Sequence, residues 1–150
     1  MIEFKKLCEE NFNECIKLKP RDEQKDFVAP NIYSIAEAYV ALTNDGCPMP
    51  YAIYNDDIMV GFIMLVYEED KDDYWICRLM IDEKYQGQGY GRASMLKALE
   101  LIREKSVKEH PTVLISYEPE NIVAKKLYAS VGFRETGEIE EGEAVAKLEL

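Results

Sequence analysis

The sequence predicts a mixed α/β domain, and three observations carry that reading. Two apolar runs, Tyr51–Tyr54 and Ile58–Tyr67, flank the short polar turn Asn55-Asp56-Asp57, which is the pattern of a β-hairpin. A third run, Trp75–Ile81, leads through a glycine-rich stretch into ASMLKALELIREK, whose apolar spacing is helical. Farther on, Thr112–Tyr117 reads as a short buried strand, followed by a helical segment that Gly132 closes.

Taken in order, Ile2–Leu7 is expected as a first strand and Asn11–Leu18 as a helix, before Pro20-Arg21-Asp22 breaks the pattern. Pro30-Asn31 reads as a helix start, and Ile32–Leu42 continues it until Asn44-Asp45-Gly46. The hairpin follows, then an acidic loop and a strand over Tyr74–Ile81. The next helix is expected to run to about Lys108, and another to span Asn121–Val131. Phe133 onward resembles a terminal pair of strands turning near Glu141-Gly142. No repeat, linker or low-complexity tract divides the chain, so residues 1–150 are expected to form one domain.

Composition narrows the chemistry. With 47% apolar and 31% charged residues, the chain has the balance of a folded soluble protein. No apolar run approaches the roughly 18 residues that span a bilayer, and the N-terminus lacks the order of a signal peptide, so a cytoplasmic location is expected, with no membrane partner. The net charge of −11 argues against nucleic acid and weakly favours a cationic partner. Cys8, Cys15, Cys47 and Cys77 form no C-x-x-C pair, and His110 is the only histidine. Neither a metal site nor a Ser-His or Cys-His nucleophile is expected from that set.

The stretch YQGQGYGR, Tyr85–Arg92, places three of the chain's eight glycines on alternate positions at a strand-to-helix junction. A dinucleotide fingerprint starting at Gly87 and Gly89 fails, because Arg92 stands at the third glycine position. A P-loop fails too, because no Gly-Lys pair occurs there. Two readings remain. The turn either needs glycine for its own conformation, or its amides form a nest for an anion at the helix start.

Gln86-x-x-Gly89-x-Gly91 resembles the Gln/Arg-x-x-Gly-x-Gly/Ala signature of the GCN5-related N-acetyltransferase (GNAT) family, at the family's position between the fourth strand and the third helix. NIVAKKLYASVGF, Asn121–Phe133, is similar to the family's second motif, N-x-x-A-x-x-L-Y-x-x-x-G-F, at every named position. DFVAPNIYSIAEAYV and YWICRLMIDEKYQGQGYG look more narrowly like the bacterial branch that acetylates diamines and polyamines.

The resemblance implies a mainly antiparallel central sheet flanked by helices, with a cleft between the fourth and fifth strands. It implies acetyl-CoA as co-substrate and a small cationic amine, such as spermine or spermidine, as acceptor. Backbone groups of Leu79, Met80 and Ile81 would pair with the pantetheine arm, and an N–H of Met80 or Leu79 would face the thioester oxygen. The pyrophosphate would lie on the amides of Gln86, Gly87, Gln88, Gly89, Tyr90, Gly91 and Arg92. Arg92, Lys125 and Lys126 would offset negative charge near the 3′-phosphate, although each also reads as a solvated helix residue. Asn121 matches the asparagine that contacts the arm and also suits an N-cap.

Tyr128 matches the family's general acid. A phenol of pKa about 10 protonates a thiolate whose conjugate acid lies at about 8.5 only if the site lowers the phenol pKa or exploits charge on sulfur. For the acceptor, Tyr33, Tyr74 and Trp75 are candidate cation–π faces, and Glu37, Glu23 or Asp26 a candidate base. Two alternatives are kept: an enzyme acetylating a protein N-terminus, amino acid or aminoglycoside, and a module that senses acyl-CoA without catalysis. The sequence leaves the oligomeric state open, a homodimer included.

Overall fold

The computed structural model describes residues 1–150. Its elements are β1 (Ile2–Lys6), α1 (Glu9–Cys15), a 3-10 turn at Asp22–Gln24, α2 (Asn31–Thr43), β2 (Cys47–Asn55), β3 (Ile58–Glu68), β4 (Asp73–Ile81), α3 (Tyr90–Lys105), β5 (Thr112–Tyr117), α4 (Ile122–Ser130), β6 (Arg134–Glu140) and β7 (Glu143–Glu149). The strands make one seven-stranded sheet ordered β1-β2-β3-β4-β5-β7-β6. Every neighbouring pair is antiparallel except β4 with β5.

Strand β3 is apolar without alternation because both faces of the sheet are covered. On one face Ile63 and Leu65 join Ile76, Ile81, Met95, Leu99, Ile102 and Tyr128, so α3 and α4 pack there. On the other, Phe62 and Met64 join Met80, Cys15 and Ala38, so α1 and α2 pack there. No helix is long and apolar enough to cross a membrane.

Several boundaries differ from expectation by one to four residues, α1 ending at Cys15 rather than Leu18 among them, and three have a local reason. Helix α1 begins earlier, at Glu9, because Asn11 serves its start from within: its side chain accepts the Cys8 N–H at 2.9 Å and donates to the Lys6 carbonyl at 3.0 Å. Strand β2 begins at Cys47 despite Pro48 and Pro50, since β1 covers only Tyr51–Asn55 and the prolines fall where β2 is the sheet edge. Helix α3 ends at Lys105, with Ser106 extended.

A single irregularity makes the cleft. Leu65 pairs with Ile76 and Met64 with Arg78, which leaves Cys77 as the extra residue of a β-bulge in β4. Parallel pairing of β4 with β5 covers Tyr74, Trp75 and Ile76 and goes no farther. From the bulge onward the two strands separate, while β5 stays paired to β7 out to Tyr117. Bulges bend a strand and terminate pairing, so the gap follows from one inserted residue. Opposite its far wall, Gly61 faces Ile81, and a Cβ on Gly61 would sit 2.3 Å from the Met80 carbonyl oxygen. Only glycine lets β3 approach β4 this closely.

Candidate active site

The gap between β4 and β5 widens into a cleft of roughly 570 Å³, within the ordinary range for a small-ligand site. Its walls are β4 from Ile76 to Ile81, the glycine turn, the end of β5 and one side of α4. The segment Pro20–Pro30, largely without regular structure, closes it from above.

That segment is clasped in place. The buried carboxylate of Asp82 accepts the Lys19 N–H at 3.1 Å and the Lys84 N–H at 3.0 Å. The Gln86 side-chain amide donates to Gln24 Oε1 at 2.8 Å and to the Ile81 carbonyl at 3.0 Å. Gln86 therefore works through its side chain as a link between overhang, turn and β4, a role its motif position does not announce.

At one end lies the start of α3. None of the backbone N–H groups from Gln86 through Arg92 donates to a backbone acceptor, and no side chain caps the helix. No acidic residue occupies its first turn. Free amides and the helix dipole together favour an anion. Tyr90 steadies this start, because its hydroxyl accepts the Asn55 side-chain N–H at 3.2 Å.

The two readings of the glycines resolve residue by residue. Gly87 and Gly89 have φ of 76° and 85°, so the turn itself requires them. Gly91 has no positive φ, and a Cβ there would meet Leu127 at an ordinary 3.6 Å. Nothing in the fold demands glycine at 91. It lines the cleft at the uncapped start of α3.

Toward the other end stands Tyr128, the buried residue of α4, 8% exposed. Tyr117 and Phe133 pack its ring at centroid distances of 5.6 and 6.2 Å. Burial, reinforced by the Glu143 charge and by Tyr117, pushes the phenol well above its ordinary pKa. The site thus does not lower the phenol pKa as the first sequence option required. Tyr128 is therefore held as a neutral, protonated phenol. Cys77 also lines the cleft, but burial raises its thiol to about 11, so no thiolate nucleophile is available there at neutral pH.

Other expected residues divide. Leu79, Met80 and Ile81 form the β4 wall, on the stretch that β5 leaves unpaired. Asn121 lines the cleft and also caps α4, accepting the Ala124 N–H at 3.2 Å. Trp75 does not reach the cleft, because it sits before the bulge where β4 is still paired with β5. Tyr74 is buried in the core beside Tyr67. Tyr33 is exposed on α2 and is not part of the lining. Glu37 stands at the margin with its carboxylate bound to Arg78 at 2.8 Å, which removes it as a free base.

Of the loop acids, Asp26 lines the cleft and Glu23 does not. Gln88, Arg92 and Lys126 are exposed outside the lining, and Lys125 pairs with Glu135 at 3.4 Å. The basic residues of the lining are instead Lys25 and Arg78.

Sequence reasoning missed Glu118, Glu141 and Glu143, which line the cleft near Tyr128. They lie outside both motifs, in a strongly acidic chain, and only the β5–β7 pairing brings them together. Burial and Glu118 raise the Glu143 carboxyl above its usual pKa.

Known proteins share this fold. The chain resembles the spermine/spermidine N(1)-acetyltransferase of Bacillus subtilis at 36% identity over 108 residues, covering 67% of this chain and 70% of that one. Among solved structures, spermidine N-acetyltransferase from Vibrio cholerae in complex with CoA and spermine superposes with a TM-score of 0.75 at 17% identity, covering 99% of this chain and 94% of that one. The PaiA N-acetyltransferase from Thermoplasma acidophilum in complex with coenzyme A gives a TM-score of 0.73 at 16% identity, covering 100% and 99%. At such identities these two establish the fold alone. The acetyltransferase (GNAT) family model matches residues 6–133, and the chain belongs to that family of acetyltransferases.

Proposed function

We propose that this enzyme transfers the acetyl group of acetyl-CoA to a primary amine of a polyamine such as spermine or spermidine. The observation that carries the reading is a single cleft with unpartnered backbone amides at one end and a buried tyrosine toward the other. The curated relative named for spermine and spermidine, and the acidic residues beside Tyr128, support the choice of acceptor.

In this reading the amides of Gln86–Arg92 hold the pyrophosphate, with Gly91 allowing direct backbone contact. The pantetheine arm extends along the open edge of β4 as an added strand would. An N–H of Leu79 or Met80 donates to the thioester oxygen as it becomes an oxyanion, an interaction typically worth about 3 kcal/mol in the transition state. The amine attacks directly. Tyr128 then donates its hydroxyl proton to the departing sulfur, whose developing negative charge supplies the drive that the raised phenol pKa demands.

The test is a free-thiol assay with acetyl-CoA and a panel of amines. Spermine and spermidine are expected to release CoA at least about tenfold faster than monocationic alkylamines of similar length, as the loss of one charged contact would require. Fast turnover of aminoglycosides or peptide N-termini, with none on polyamines, would move the acceptor elsewhere.

A further inference from the structure

The last register pair between β5 and β7 is Tyr117 with Ala144. One step farther along each strand stand Glu118 and Glu143, so two carboxylates occupy the next cross-strand position. Glu141 follows in the β6–β7 turn, at a φ of 50°. All three line the cleft, and none takes part in a salt bridge. Like charges placed opposite each other weaken a sheet end. The cation that acts on Glu143, Arg78, already binds Glu37.

A second observation points to a ligand at this spot. Tyr128 is more than nine-tenths buried and lines the same cleft, yet burial and neighbouring charge are the causes of its raised pKa, with no hydrogen-bond partner among them. The residue borders a space that the chain leaves open. Glu143 is the carboxylate whose charge acts on it. Asp26 lines the cleft from the overhang, and Glu37 is neutralised, so neither has this relation to the phenol.

We propose that Glu143, assisted by Glu118, receives the acceptor ammonium beside Tyr128 and accepts the protons its nitrogen must lose. This rests on the acetyl-transfer reading above. The ammonium gives its first proton to Glu143, which passes it to solvent. The neutral nitrogen then forms a bond to the thioester carbon, whose C=O electron pair moves onto oxygen. As the oxyanion collapses, the C–S bond breaks with its electron pair going to sulfur, and sulfur takes the Tyr128 hydroxyl proton. Glu143 accepts the second nitrogen proton and returns it to the Tyr128 phenolate. The net products are the acetamide, CoA thiol and one proton in solvent. A raised carboxyl pKa suits this role, because it brings the base closer to the working pH.

Burial sets the Glu143 titration first, followed by Glu118, Arg78, Glu141 and the Ser116 hydroxyl. A carboxylate base is lost as pH falls through its own pKa, so the wild-type kcat/KM profile, which reports the free enzyme, should carry an acidic limb above the ordinary glutamate range. The experiment compares wild type, Glu143→Gln and Glu118→Gln with spermidine, measuring kcat, KM and their pH dependence, alongside coenzyme A uptake by calorimetry. Glu143→Gln should lower kcat by about 100-fold and erase the acidic limb, with coenzyme A affinity within about twofold. Glu118→Gln should raise KM about tenfold with little change in kcat. A Glu143→Gln enzyme that keeps both its kcat and the limb would overturn this assignment and leave acetyl transfer standing. Wild-type protein that binds coenzyme A but acetylates no amine would overturn both.

Discussion

At the α3 end of the cleft the groups on offer are backbone N–H from Gln86 to Arg92, and toward the terminal hairpin they are the side chains of Glu118, Glu143 and Tyr128. The first set is held by φ angles and a helix start, and no single side chain there carries the recognition. The second set comes from α4, the end of β5 and the start of β7, and each member is one replaceable group. A cofactor common to a whole family suits the first kind of site, since amides tolerate sequence change. An acceptor that varies between relatives suits the second.

The largest effect is expected where the wall shared by both ends is disturbed. Gly61→Ala would place its methyl 2.3 Å from the Met80 carbonyl oxygen and push β4 away from β3. A loss on the order of 3 kcal/mol in unfolding free energy is expected, with weaker coenzyme A uptake. Denaturant titration reads the first and calorimetry the second; an unchanged midpoint would mean that β4 can shift without penalty.

Next comes the side-chain end alone. Tyr128→Phe should lower kcat about 100-fold while coenzyme A binding holds, because it removes a proton and leaves the aromatic packing against Tyr117 and Phe133. Full turnover in that variant would take the phenol out of the chemistry.

The smallest effect is the sharpest on the comparison. In Gly91→Ala the helix itself should hold or gain stability, since alanine outranks glycine in a helix by about 1 kcal/mol. The added methyl nonetheless stands where a ligand would touch the backbone, so coenzyme A affinity should fall roughly tenfold. A melting temperature that drops together with affinity would instead assign this glycine to the fold.

Legibility follows the same division. Apolar patterning located the central elements, because a β3 buried on both faces or an α3 with one apolar stripe records its environment in consecutive residues, while the exposed β6 was placed by the turn near Glu141-Gly142. Boundaries slipped where a side chain reached outside its own element, as Asn11 does at α1, or where an edge tolerated proline, as in β2. The glycine turn and the α4 motif were readable because a left-handed φ and a capped helix are local demands. Trp75 and Tyr74 were misplaced because an aromatic on a strand looks the same whether it lines a cleft or packs below one. Glu37 read as a free acid because its partner Arg78 lies on another element.

What the sequence determined alone was the set of elements and the backbone geometry of the turn, both governed by contacts within a few residues. The tertiary structure decided where the cleft opens and what faces it. A bulge at Cys77 acts only through the strands on either side of it, and Glu118 meets Glu143 only because β5 and β7 pair. Such features depend on residues far apart in the chain, whose encounter is a consequence of sheet register and leaves no periodic trace in either segment.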